Sequence, residues 1–543
     1  MDTKNPKTLA LATTEQQLHR FISVGDGTVQ DLTIGSAPTK IQFTKWNMVA
    51  FAFVICNSWA GVAGSIQLAL LQGGPATLIY SIVVSSIAYM SIAISMAELA
   101  SVYPTAGGQY HFASILAPKK IKQGISYACG LLSIFSWTAI GAAVTVIPAQ
   151  QIMALVAAFH PGFETKEWHV LLIYQAMALF VLLNNLFLLK KTPWTHNVGF
   201  ALTLCLFLAS FVALLVRSSP KAPSSFVWAT FINYTGWPDG VCFIIGLSTS
   251  CVMYIGLDAS MHIAEECKDP SRTVPTAMVT AVLIGCVTAF AYTVAQLYAL
   301  TDIEAIMTTT EYIPWVVMRQ GLRSTALATA FIVVGIVMTV FILNAVQETS
   351  SRLAWSFARD NGLVFSSRLC RIHPTLEVPV YALLLTYAIL VLCGCIFVAS
   401  TTAFNALISS SIVLQQLSFV IPVALLLYRR RGPKYLPRTR FFAPPPAVGW
   451  IANVIVVAFS LVTTVFFNMP AFLPTSASSM NYTCVILGIA LLLGIVNWFA
   501  HARRHYQGPT ITFENEGEGT VEVEVEVAGE DKDQGRWVSV TVE

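Results

Sequence analysis

In the run YIGLDASMHIAEECKDP, Tyr254 to Pro270, a carboxylate interrupts a long apolar stretch. Asp258 follows Gly256 by two residues and precedes His262 by one helical turn; Glu265, Glu266, Lys268 and Asp269 come soon after. A charged side chain at the bilayer centre costs about 2.5–3.5 kcal/mol on insertion scales, so Asp258 requires a partner. Three chemistries fit. Asp258 can attract the ammonium or other cationic amine of a substrate. It can carry a coupled proton, because a desolvated carboxyl binds its proton more tightly. It can also cap the second half of a broken helix by accepting N–H bonds from the residues that follow. These roles can coexist. His262 can relay a proton or simply pack.

A second polar interruption occurs in NSWAGVAGS, Asn57 to Ser65, with two glycines and an Asn-Ser pair inside another apolar run. Irregular backbone at membrane depth survives only where it is buried in protein or lines a wet cavity. Each half of a broken helix leaves N–H groups unpaired at one end and C=O groups at the other. The N–H end suits a carboxylate and the C=O end suits an ammonium or a cation. Backbone can therefore hold a zwitterion or a quaternary amine, with side chains adjusting the fit. Two such interruptions five helices apart predict an inverted repeat of helices 1–5 and 6–10, with binding near the midplane. Close helix packing through small residues is the alternative for either segment.

The elements that must position these residues are membrane helices. The 543 residues are 55% hydrophobic and only 11% charged, with mean hydropathy +0.67, against about 25% charged in soluble domains. About 20 apolar residues cross the hydrocarbon core. Twelve such runs are predicted, at 46–71, 76–99, 124–150, 169–189, 196–217, 241–264, 275–300, 325–347, 378–400, 403–428, 448–468 and 480–502. With the N-terminus in the cytoplasm, the outer loops hold Lys166, Arg217, Lys221, Arg319 and Arg323. The inner loops hold 17, including Lys119, Lys120, Lys122, Lys190, Lys191, Arg352, Arg359 and the cluster from Arg429 to Arg440. That bias predicts both termini inside. The sequons at Asn233 and Asn481 both fall on predicted outer loops. Residues 1–45 read as a cytoplasmic segment without an apolar signal region, 46–502 as the helical domain, and 503–543 as an acidic, disordered cytoplasmic tail.

Three longer motifs carry a resemblance. They are AELASVYPTAGGQYHFA (Ala97 to Ala113), GLDASMHIAEECKDPSRTVPTAM (Gly256 to Met278), and SSRLAWSFARDNGLVFSSRL (Ser350 to Leu369) with VPVYA beyond it. Over about residues 40–505 the chain resembles the amino acid–polyamine–organocation permease superfamily, in particular its fungal amino acid/choline/GABA branch. The resemblance implies an all-α integral membrane protein of twelve helices: a five-plus-five core with helices 1 and 6 broken, plus two extra helices. It implies alternating access, commonly coupled to protons. On that basis substrate contacts are expected at Asn57, Ser58, Ala60, Gly61 and Val62, and at Tyr254, Gly256, Leu257 and Asp258. Aromatic gates are expected on helices 3, 6 and 10, with Trp137, Phe243 and Phe404 as candidates. Glu265 and Glu266 would pair with basic residues such as Arg352 or Arg359 at the inner gate, and Glu98 is a similar gate or loop anchor. A solvated or interfacial charge is the plainer reading of each.

A transporter of a small amine-bearing solute in the plasma membrane or an organellar membrane is therefore expected, with a proton and membrane lipid as its other partners. A transporter-like nutrient sensor, or a carrier of a specialised nitrogenous metabolite, is the alternative. No phosphate-binding G-x-x-x-x-G-K-[ST] loop, nucleophile elbow or metal-spaced cluster is present, so an enzyme or ATP-driven pump is not expected. The eleven cysteines include no C-x-x-C pair and read as small hydrophobes; no cofactor, metal or nucleic acid is expected.

Overall fold

Among the described residues, twelve helices of 20 to 38 residues are long and apolar enough to cross a bilayer. Their order and number match the expected runs. The computed structural model describes residues 21–23, 29–34 and 43–513, apart from 161, 189–193, 310, 478, 479 and 510. Among the described residues the only strands are three short ones, Phe21–Ser23, Val29–Ile34 and Ile511–Phe513, which pair antiparallel. The remainder of residues 1–42, Lys190, Lys191 and the acidic run from 514 onward lie outside the described residues.

The first span begins at Lys45, where the Thr44 side chain accepts from Asn47 N. It runs to Cys56, breaks at Asn57, and resumes as Ser58–Gly64 and Ile66–Leu71. Asn57 takes φ +36°, ψ 52°, a left-handed conformation that Asn tolerates better than most residues. The break thus falls at the polar Asn57 itself, while Gly61 lies within helix. The sixth span runs Asp239–Cys251, tightens into Val252–Tyr254, and then loses helical form. Gly256 has φ +82°, which only glycine adopts without strain. A four-residue helix, Ala259–His262, completes the crossing, and a tight turn, Ala264–Glu266, follows it.

Two spans run far beyond their expected lengths. The third is Lys122–Phe159 and the eighth is Thr325–Arg359. Arg352 and Arg359, expected on a loop, are therefore helical. SSRLAWSFAR contains no breaker, and the helix ends only before Asn361 (φ +59°) and Gly362. Charge does not stop this helix, because its basic residues are paired against the bundle.

The first span packs on the fifth (Thr195–Arg217) and seventh (Pro270–Ala299), and the second (Gly74–Val102) on the seventh. The third packs on the eighth and on the tenth (Thr401–Tyr428), and the fourth (Glu167–Phe187) on the ninth (Val380–Ala399). The expected boundary at 502 moves outward. The last span ends at His505, and Tyr506 is buried with its hydroxyl 2.6 Å from Ser126 Oγ.

Candidate functional site

The two breaks lie against each other. Ser58 Oγ donates to Met253 O at 2.6 Å, so the start of the second piece of span 1 is tied to the end of the first piece of span 6. A Cβ on Gly61 would sit 3.5 Å from Met253 Cα, and one on Gly256 only 2.5 Å from Ile55 Cγ2. Asn57, Ser58, Val62, Tyr254, Leu257 and Asp258 are all buried, and Ala60 and Gly61 are half-buried. The Tyr254 hydroxyl shares a 2.8 Å hydrogen bond with Ser86. Asn57 Oδ1 and Ser260 Oγ, also buried, have no hydrogen-bond partner.

Asp258 occupies the cap position of the short helix but makes no side-chain cap bond. Its carboxylate turns into the bundle instead. Oδ2 accepts from Gln109 Nε2 at 2.6 Å and Trp137 Nε1 at 3.1 Å, and Oδ1 from Gln415 Nε2 at 3.0 Å. His262 Nε2 lies 3.1 Å from the same Oδ2. The other ring nitrogen, Nδ1, lies 2.9 Å from Ala106 O, which can only accept. Nδ1 therefore carries a hydrogen. Nε2 facing a carboxylate needs one too, so the Asp258–His262 contact holds one proton beyond a neutral imidazole and an ionised carboxyl. With donors on every side, the assignment that satisfies all four contacts is an imidazolium against a carboxylate.

Gln109 begins the short helix Gln109–Leu116, entered through Gly108 (φ +54°) after the second span. Gln415 sits in the tenth span. Sequence reasoning singled out neither, although Gln109 lies inside a noted motif and Gln415-Gln416 is a polar pair within an apolar run. Their Oε1 atoms are buried and have no partner. Of the aromatic candidates, Trp137 joins Asp258 and stands edge-on to His262, with ring centroids 6.0 Å apart. It also walls a cleft with Thr138, Gly141, Gln347 and Ser350. Phe243 is half-buried in the first half of span 6, and Phe404 packs with Tyr174 and Phe397 in a separate cluster.

The end of the bundle carrying most basic residues is closed by ion pairs. Arg359 grips Glu265 with two nitrogens, at 2.7 and 2.9 Å, and Ala106 N donates to Glu265 Oε1 at 3.1 Å. Burial alone would raise this carboxyl, but the Arg359 guanidinium overrides it and holds the value down to about 2. The pair's contribution is complete above the ordinary carboxylate value and is lost only as pH falls toward 2. Arg352 Nε donates to Glu266 Oε1 at 2.9 Å. Glu98, fully buried, accepts from Arg431 at 2.6 and 2.7 Å and also from Arg440. It ties the second span to the segment after the tenth. Glu98→Gln leaves two guanidiniums short of a counterion, and breaking a buried pair costs about 3–5 kcal/mol. A marked drop in the unfolding midpoint of the purified protein is expected; an unchanged midpoint would show the anchor to be dispensable.

Both sequon asparagines are engaged: Asn233 Nδ2 with Trp237 O and Asp239 Oδ1, Asn481 Nδ2 with Phe467 O and Met469 O. No group of three or more His, Cys, Asp or Glu able to hold a metal occurs among the described residues.

Twelve spans around a polar centre built at two helix breaks, closed at one end by ion pairs, define a polytopic membrane carrier. The chain belongs to the amino acid permease family, whose sequence profile it matches over residues 47–491. It is 31% identical over 479 residues to the choline transporter of Saccharomyces cerevisiae, covering 87% of this chain and 83% of that protein. It is 26% identical over 479 residues to a swainsonine transporter of Arthroderma benhamiae (86% and 92%) and 26% over 489 residues to amino-acid permease 2 of Neurospora crassa (88% and 88%). The relatives are permeases and transporters, not enzymes, and this chain is an integral, multi-pass membrane transporter.

Proposed function

We propose that this permease moves a small amine-bearing solute, such as an amino acid, GABA or choline, by alternating access around the paired breaks, with a coupled proton. The single observation that carries the coupling is the placing of His262, with Nδ1 2.9 Å from Ala106 O and Nε2 3.1 Å from Asp258 Oδ2, at the point where span 6 is broken. In this closed arrangement the carboxylate already meets four donors, so it has no free position for a substrate ammonium. The unpartnered oxygens of Gln109, Gln415 and Asn57 are better suited to amine N–H groups. A carboxylate on the same solute would take the backbone N–H groups at a half-helix start.

The five-plus-five inverted repeat is supported by spans five apart lying against each other: second on seventh, third on eighth, fourth on ninth. The basic end faces the cytoplasm, by the charge bias of the loops. The plasma membrane is the proposed location. A glycan at Asn233 or Asn481 would report the orientation through an endoglycosidase mobility shift. The Arthroderma relative favours a second reading of the cargo, a specialised nitrogenous metabolite.

The test is a screen of labelled amines in proteoliposomes, with and without an imposed proton gradient. One amine class is expected to accumulate, and a protonophore to collapse the accumulation. Transport indifferent to the gradient would remove the coupling. A protein that signals amine availability while moving no labelled amine would be a sensor instead.

A further inference from the structure

One of the ion pairs closing this end, Arg352–Glu266, belongs to a larger buried charge cluster. Arg352, in the eighth span, sits between two carboxylates: Glu266 at 2.9 Å and Glu348, one turn earlier, at 3.9 Å. The other oxygen of Glu348 lies 3.2 Å from His196 Nε2, at the start of the fifth span. Neither that Oε2 nor His196 Nε2 makes a formed hydrogen bond. Glu348, Arg352, Glu266 and His196 are all within 5% of complete burial. The rings of Phe43, just before the first span, and Phe51, within it, cover His196 at centroid distances of 5.7 and 4.9 Å. From the fourth span comes the neutral Asn185, bonded to Asn344. Glu265, on the same turn as Glu266, has its charge taken by Arg359.

The count of charges decides the chemistry. Two carboxylates share one guanidinium, so with a neutral imidazole the cluster carries one uncompensated negative charge. A buried, unpaired charge is costly, and the cheapest relief is a bound proton. The 3.2 Å gap between Glu348 and His196 is where one proton forms the missing hydrogen bond. Opening the gate admits water, which solvates both carboxylates and removes the need for that proton.

We propose that the basic end of the bundle contains a proton-binding site formed by Glu348, His196 and Glu266 around Arg352, filled when this gate is closed and emptied when it opens. It is distinct from the central Asp258–His262 pair and exchanges its proton with the face that the gate opens to. It rests on the alternating-access and orientation readings above. Burial raises the Glu266 carboxyl, with Glu348 adding to the effect of burial and Arg352 opposing it. A carboxyl raised in the closed state favours closure at low pH, and that preference is lost as pH rises through its value. Acidity on the cytoplasmic face therefore holds the gate shut.

The gate has a built-in reporter. Cys267 is 1% exposed and pairs through its backbone with Phe43, so its thiol is reachable only when this end opens. Inside-out and right-side-out membrane vesicles carrying wild type, Glu348→Gln or Glu266→Gln are treated with a membrane-impermeant maleimide, and Cys267 labelling is read by mass spectrometry. Comparing each variant with wild type at the same pH cancels the thiol's own pH dependence. A single linked proton changes an equilibrium by at most tenfold per pH unit, so wild type is expected to label about fivefold or more faster than the variants near pH 7.5, the difference closing near pH 5.5. A ratio that is the same at both pH values in both correctly trafficked variants overturns the proposal. The expected ratio seen only from the opposite face would reverse the orientation and leave the site standing. A gate in which Cys267 never labels in wild type would sink the alternating-access reading and the site with it.

Discussion

Asp258→Asn is expected to cut the proposed proton-coupled uptake severely while the protein still folds and reaches its membrane. The fold survives because the site can absorb an amide. The Asn oxygen keeps the donors Gln109 and Trp137, and its NH2 meets Gln415 once that side chain turns its free oxygen around. The charge cannot be replaced. His262 loses its counterion and gives up the proton that the pair holds. Removing one partner of a buried ion pair costs about 3–5 kcal/mol, and each 1.4 kcal/mol is tenfold. Coupled uptake should fall by about 100-fold or more at unchanged surface abundance. Normal uptake with unaltered pH dependence would take Asp258 out of the mechanism.

Substitution at the two glycines of the breaks separates by size. Gly256→Ala is expected to lose both transport and stability. An L-residue in the left-handed region costs about 1–2 kcal/mol, and here its Cβ would also meet Ile55 Cγ2 at 2.5 Å with Trp137 just behind. Gly61→Ala, whose Cβ would find only ordinary contacts at 3.5 Å and beyond, should transport nearly normally. Gly61→Leu fills the space between the two breaks and should block substrate binding. Measured substrate binding by the three variants checks this. Normal binding by Gly61→Leu would place the substrate elsewhere, and an active, stable Gly256→Ala would show that the break is not needed.

Much of this was legible in the chain. Twelve apolar runs gave twelve spans, because crossing a bilayer is a local requirement on some twenty consecutive residues. The breaks were visible as polar and glycine residues where nothing polar is tolerated without cause. Even the pairing of Glu265 and Glu266 with Arg359 and Arg352 could be guessed, since buried opposite charges at one end of a bundle must find each other. The eighth span's extra turns were not foreseen, because hydropathy reads its charges as loop and cannot see the carboxylates that neutralise them.

What only the tertiary structure decided is who meets whom. The sequence put Asp258 at a helix start and left cap, proton and substrate open. The fold turned its carboxylate away from its own backbone to Gln109, Trp137 and Gln415, which are 149, 121 and 157 residues distant. It likewise set Glu348 beside His196 and gave one guanidinium to two acids. Local pattern fixes how each segment crosses the membrane. Protonation depends on the sum of charges within a few ångströms, and that sum exists only once distant spans have packed.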